Sequence, residues 1–399
     1  MTEPGISVIG GGITGASVAY HLSKETDRPV TVYEQRDKLS METTNKSGAF
    51  VGYWGHEPPG RLQMMDYSMR LYNRFLDDAQ TNLSYHFSPR LQVATTDDGV
   101  ANLRERFKQN LGATIEEEGI TTGMRRSPVQ YLPSNRLAGS FLLPELELGP
   151  VMGATYSGNL GHLWPARQAA QEFVLRAREN GVSFETGREV TEIVTKGGRV
   201  SGLIVDGEEI ETDEVICTAG PWNKNILRAV GIDLPLKHTL GPMLVLQPQK
   251  ESPHSLFSLK HEETGYYMRQ NPDGTVFLGN NPGSYESAGT EYDPGDVTNT
   301  VPEELRSEGL EVAKSLLPYL EGANVVDEWV GVRSLTPDTE PIIGWTSIQG
   351  LSVASFNASG IQLSPCAGKI IANQVVHDEP TAYYESVSVS RFEGYGDYR

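Results

Sequence analysis

The sequence predicts an α/β protein that opens on a dinucleotide-binding βαβ unit and adds a second region of mainly antiparallel strands. Three observations predict it. Ile6–Ile9 is a short apolar run, Gly10–Gly15 a glycine turn, Ala16–Lys24 a stretch with helical spacing, and Val30–Tyr33 again apolar and β-branched. From Leu240 to Gly279 apolar and polar residues alternate around a turn at Asn271-Pro272-Asp273-Gly274, as antiparallel strands do. The length, 399 residues, exceeds what one compact core usually holds.

Within the opening unit, Gly10, Gly12 and Gly15 form G-x-G-x-x-G between strand and helix. Gly10 permits the turn, Gly12 lets backbone approach a pyrophosphate, and Gly15 allows helix to pack closely on strand. The helix start, with Ile13 and Thr14, presents N–H groups and a positive dipole end to phosphates. Glu34 ends the second strand, where a carboxylate holds the hydroxyls of an unphosphorylated ribose and repels a 2′-phosphate, which disfavours NADP. This motif does not separate FAD from NAD.

Further along, helical spacing covers Leu62–Ala79, Val100–Leu111, Ala166–Asn180 (closed by Gly181) and Leu305–Leu317. Short strands are predicted at Leu91–Thr95, Ser183–Glu185, Glu189–Thr195, Arg199–Val205 and Glu214–Thr218. A last helix is predicted over Ser364–His377, with Pro365 in its first turn. Residues 284–301 read as a surface loop, and 381–399 as a surface tail.

Composition narrows the function classes. A formal net charge of -19 argues against nucleic acid as a partner, because phosphate binding needs a basic surface. The acidity, with 22 Arg and 11 Lys, fits either a salt-rich cytosol or an ordinary acidic enzyme. No apolar run approaches the roughly 18–20 residues of a membrane span. The first apolar strand stands too close to Met1 for a signal peptide, so a cytoplasmic location is expected. Cys217 and Cys366 suggest neither disulfide nor metal site and read as small buried residues.

Five stretches in order resemble the D-amino-acid oxidase superfamily of FAD enzymes, in its glycine oxidase and sarcosine oxidase branch. They are Ile6–Gly15 with Glu34; Thr43-Thr44-Asn45-Lys46-Ser47-Gly48; Gly161–Arg167; Val215–Trp222; and the set Gly331–Arg333, Thr336–Asp338, Pro341–Gly344 and Ser359–Pro365. The resemblance implies a Rossmann-like FAD-binding domain (1–81, 150–236 and 325–380) interleaved with a substrate domain on a mixed, largely antiparallel sheet (82–149 and 237–324). It implies FAD contacts at Gly10, Gly12, Ile13, Thr14, Gly15, Glu34, Gln35, Thr43, Thr44, Asn45, Ser47, Gly48, Val190, Ala219, Gly220 and Trp222. The turn Ser359, Gly360, Ile361, Gln362 and Leu363 would place helix N–H groups near the reduced ring.

For chemistry, Arg333 resembles the arginine that holds the substrate carboxylate, and its guanidinium would also lie near FAD. Tyr267 resembles the tyrosine that covers substrate, and His56 is a further candidate beside Trp54. Gly331 stands where sarcosine oxidases carry a flavin-bonded cysteine, so non-covalent FAD is expected. Phe277 stands where they carry a lysine that helps oxygen react, leaving oxygen, a quinone or a carrier protein as acceptor. Ser334 replaces the more usual proline after the arginine. The implied reaction is oxidation of the C–N bond of a small amine or amino acid. Two alternatives are an FAD-dependent 2-hydroxy-acid or glycerol-phosphate dehydrogenase, and a flavin-holding subunit of a larger complex.

Overall fold

The structure, a computed structural model, describes residues 5–53, 59–112, 129–137, 145–250, 257–280, 285–286, 291–380 and 384–392. The βαβ opening forms as the sequence requires. Strand Ile6–Ile9 is buried throughout and lies at the centre of a six-stranded sheet. The order is Ile342–Trp345, Leu351–Ser355, Glu214–Cys217, Ile6–Ile9, Val30–Glu34, Ser183–Thr186, and only the first of these runs antiparallel to its neighbour. From Ile6–Ile9 the chain adds Val30–Glu34 and Ser183–Thr186 on one side and only then Glu214–Cys217 on the other. That reversal makes the carboxyl ends of Ile6–Ile9 and Glu214–Cys217 the crevice where such sheets bind ligands.

Helix Ile13–Glu25 packs this sheet against helix Gly360–His377. The two approach closely at Gly368, where an added Cβ would lie 2.4 Å from Ser17 Oγ and 2.6 Å from the Ser17 carbonyl. Each fully buried aliphatic side chain here contributes about 1.5–3 kcal/mol.

The C-terminal helix begins at Gly360, four residues before the predicted start. Pro365 therefore stands inside the helix and leaves the carbonyl of Ile361 without its i+4 donor. The buried Tyr72 hydroxyl donates to that carbonyl instead, so a donor from another helix satisfies the acceptor that the proline leaves open.

An eight-stranded sheet forms the second region, in the order Asn324–Leu335, Lys237–Gln247, Val276–Asn280, Tyr266–Gln270, Ser258–His261, Arg90–Ala94, Gly153–Ser157, Val129–Pro133. All neighbours are antiparallel except Ser258–His261 with Arg90–Ala94. The mixed, largely antiparallel sheet is thus present. Gly153–Ser157 and nearly all of Asn324–Leu335, expected on the flavin side, hydrogen-bond into it, with Arg90–Ala94 and Val129–Pro133 and with Lys237–Gln247.

The expected surface tail is also corrected in part. Within 384–392, Val387 and Val389 are buried, and Ile343 N–H donates to the Val387 carbonyl at 2.8 Å. Tyr384 stacks edge-on against Trp345, and Arg391 pairs with Asp338. Without this segment the antiparallel edge strand would expose apolar surface and an unpaired edge. No helix among the described residues is long and apolar enough to cross a membrane.

Candidate active site

A cleft of about 350 Å³ lies between the two large sheets. Its first wall is the glycine turn. Gly10 has φ +101°, and a Cβ on Gly15 would lie 2.0 Å from the Gly10 carbonyl, so Gly15 serves helix–strand contact. Gly12 differs. An added Cβ would meet only Thr44 Oγ1, at 3.3 Å, so the protein itself hardly requires a glycine there. Its bareness keeps backbone open to the cleft that Gly10, Gly12, Ile13 and Thr14 line.

Helix Ile13–Glu25 has no side-chain cap of its own; Ile13 N–H donates to Thr44 Oγ1 at 3.1 Å, which ties helix start to the second loop. Glu34 accepts from Gly11 N–H at 2.8 Å and Arg36 N–H at 2.9 Å, one on each oxygen. A carboxylate has about four lone-pair sites, so two remain for ribose hydroxyls.

Gln35, Thr43, Thr44, Ser47, Gly48, Val190, Ala219, Gly220 and Trp222 also line the cleft. Asn45 does not; its side chain is exposed. From the last turn, Ser359, Gly360 and Ile361 line it, whereas Gln362 and Leu363 are buried beneath. The Gln362 amide donates to the Gly52 carbonyl, and Leu363 N–H to the Ser359 carbonyl at 2.9 Å. Ser359 holds φ +61°, a left-handed conformation costly for serine, and so turns the chain into helix Gly360–His377. Two helix N-termini thus face one cleft. Asn357 Oδ1, on the same wall, is buried with no hydrogen-bond partner among the described residues. Open backbone, spare acceptors on Glu34, paired helix ends and an orphaned amide oxygen suit a dinucleotide.

The opposite wall explains how Arg333 and Tyr267 meet. Arg333 lies on the edge strand Asn324–Leu335 and Tyr267 on Tyr266–Gln270, three strand steps away, or about 14 Å. The two strands between them carry Gly241 and Gly279. A Cβ on Gly279 would lie 2.6 Å from the Tyr267 ring, and one on Gly241 would lie 3.3 Å from Arg333 Cγ. Both side chains therefore lie flat across glycines, and Gly331 opposite Gly241 extends the floor.

Burial pushes the Tyr267 phenol above its ordinary value, although Arg333, Arg269 and Arg90 pull it down. The hydroxyl stays protonated at neutral pH and can donate. Burial likewise lowers the Arg333 guanidinium, with Tyr267 acting the other way. A desolvated guanidinium fork is a strong receptor for a carboxylate.

His56 lies outside the described residues. His162, in the third stretch of the resemblance, is fully buried, and burial followed by Arg269 lowers its imidazole to about 2. It is neutral at working pH. Phe277 packs with Trp164 and Trp329 in an aromatic cluster. Cys217 and Cys366 are both buried, and burial pushes the Cys217 thiol up to about 12.

Sequence reasoning missed Gly241, Met243, Phe356 and Arg188, all of which line the cleft, and Gly279 against the Tyr267 ring. Gly241 gains meaning only once sheet register puts it opposite Gly331. Lys46, in the Thr43–Gly48 loop, lines the cleft too, its ammonium near Glu42, Asn299 and the Val330 carbonyl.

The family model described as FAD dependent oxidoreductase (DAO) matches residues 6–374. The chain belongs to that family. Among its relatives, mitochondrial dimethylglycine dehydrogenase of Mus musculus is 24% identical over 390 residues, which cover 94% of this chain and 42% of that protein. The chain thus spans less than half the length of that relative. Sarcosine oxidase subunit beta of an Arthrobacter species is 22% identical, covering 97% of this chain and 91% of that subunit. Among solved structures, L-proline dehydrogenase from P. horikoshii superposes with a TM-score of 0.80 at 22% identity, over 100% of this chain and 99% of that one. The fold of this chain is that of this structure.

Proposed function

We propose that this oxidoreductase oxidises the C–N bond of a small amine or amino acid that carries a carboxylate, using non-covalently held FAD. The observation that carries the reading is the convergence of Arg333 and Tyr267 over a glycine floor in the cleft that the Gly10–Thr14 turn also lines. Its relatives are named for dimethylglycine and sarcosine, which are amino acids of that kind.

Gly12, Ile13 and Thr14 would hold the pyrophosphate and Glu34 the ribose, while Thr43–Gly48 and Ala219–Trp222 would flank the rest of the cofactor. Bound FAD would supply the hydride acceptor. Arg333 would grip the substrate carboxylate bidentately and so set its distance and angle. The Tyr267 hydroxyl would donate to the substrate and cover it. Gly360 and Ile361 would turn a helix N-terminus toward developing negative charge.

The test is anaerobic reduction of the flavin spectrum on adding sarcosine, dimethylglycine, glycine or L-proline. We expect bleaching by at least one, weakened about 10- to 100-fold in its concentration dependence by Arg333→Ala, the loss of a charge-assisted pair. Bleaching by 2-hydroxy acids or glycerol phosphate alone would refute the assignment.

A further inference from the structure

Arg269 lies two residues after Tyr267 on the same strand face, 1% exposed, yet outside the cleft lining. One arm of its guanidinium donates to the Gly48 carbonyl, and the other to Asn271 Oδ1 at 2.6 Å. The cation lies 4.6 Å from the Phe277 ring centroid, 5.5 Å from Phe50 and 5.8 Å from Trp164. A buried cation costs several kcal/mol unless acceptors and aromatic faces compensate it, and one of these acceptors belongs to the second loop of the cleft.

A second donor from the same sheet does the same work nearby. Trp329 Nε1–H donates to the Lys46 carbonyl at 3.0 Å. The carbonyls on either side of Ser47 are thereby both held by the eight-stranded sheet. Next in the chain, Ala49 has φ +49°, and its carbonyl accepts from Leu163 N–H at 3.0 Å. A non-glycine residue in that region is strained by about 1–2 kcal/mol, so tertiary contacts rather than local preference hold the loop in shape.

We propose that Arg269 is a positioning residue for the cofactor: through the Gly48 carbonyl it sets where the Thr43–Gly48 loop meets FAD. The proposal rests on the assignment of this cleft to FAD. It makes Arg269 a joint between the sheet that carries Arg333 and Tyr267 and the loop that carries the cofactor. Substrate and flavin are then registered to each other by a group that touches neither.

The experiment titrates apoprotein with FAD, following flavin fluorescence and the visible spectrum, for wild type, Arg269→Met, Arg269→Lys and Trp329→Phe. Arg269→Met should weaken FAD binding about 10- to 100-fold, the worth of one hydrogen bond from a charged donor, and shift the flavin bands. Arg269→Lys should recover part of the affinity, because an ammonium reaches one acceptor but not both. Trp329→Phe, which keeps an aromatic ring and removes only the donor, should weaken FAD about 3- to 10-fold. FAD affinity and spectrum unchanged in Arg269→Met would overturn the proposal. So would a change confined to the substrate dependence of bleaching, which would make Arg269 a substrate contact. If Arg269→Met fails to fold, an unchanged FAD affinity in Trp329→Phe overturns it. A wild type that binds FAD but is bleached by no amine would defeat the functional assignment and leave this titration intact.

Discussion

Gly12 and Gly15 stand three residues apart in one motif and do different work. Gly15 is demanded by protein sterics, since its Cβ would collide with the Gly10 carbonyl at 2.0 Å. Gly12 has nearly enough room for a methyl group, with Thr44 Oγ1 at 3.3 Å. Gly12→Ala should therefore leave the melting temperature of the apoprotein almost unchanged, yet weaken FAD binding at least tenfold by filling the space a pyrophosphate needs. Gly15→Ala should lower both stability and affinity. Calorimetry of the apoprotein beside an FAD titration separates the two; equal loss of stability in both variants would contradict the distinction. The motif was legible in the sequence, but the division of labour within it required the distances.

At the scale of an element, helix Ile13–Glu25 carries His21 into the core against helix Gly360–His377. His21 Nδ1 bonds to the Ser17 carbonyl at 2.7 Å and Nε2 meets the Tyr67 hydroxyl at 2.9 Å. Burial, the largest cause, lowers its imidazole from 6.5 to about 4. The unfolded chain thus takes up a proton below pH 6.5 that the folded chain refuses until about pH 4. His21 therefore costs stability as pH falls across that window, up to about 1.4 kcal/mol per pH unit. Glu214 acts in the opposite sense, because burial raises its carboxyl to about 7 and the folded state then binds the extra proton. Comparing wild type with His21→Gln cancels the Glu214 contribution. Denaturant unfolding at pH 7, 6 and 5 should show a shallower loss of stability toward acid in the variant, and parallel curves would refute this. The helix was readable from its spacing; that His21 titrates with folding was not, since Ser17 is a neighbour in sequence but Tyr67 is 46 residues away.

Across the whole molecule, the cleft is built by both sheets, with Glu34 and Ser359 on one side and Arg333 and Tyr267 on the other. A ligand that bridges both sides binds only the folded arrangement and stabilises it by mass action. Removing FAD should lower the melting temperature, and adding it back at 100 times its Kd should restore about 2.7 kcal/mol. A thermal scan of apoprotein against reconstituted protein checks this, and identical transitions would mean that FAD does not bind the folded state in preference to the unfolded one. The 384–392 segment adds a second long-range tie, since Arg391 reaches Asp338 just beyond the strand of Arg333.

The sequence by itself determined the opening βαβ unit, the glycine turn, the placement of Glu34 and the antiparallel character of the second sheet. These are local patterns, written in residues a few positions apart and dictated by backbone sterics and side-chain period. It also named Arg333 and Tyr267, through a resemblance. Only tertiary structure decided how those two side chains meet. The glycine floor depends on sheet register between residues about 36 and 90 positions apart, and register is set by burial over the whole face. The same holds for Pro365, tolerated because Tyr72 supplies a donor, and for the chain end, where buried valines outweigh a polar composition. Contacts between distant segments carry no signal in either segment alone.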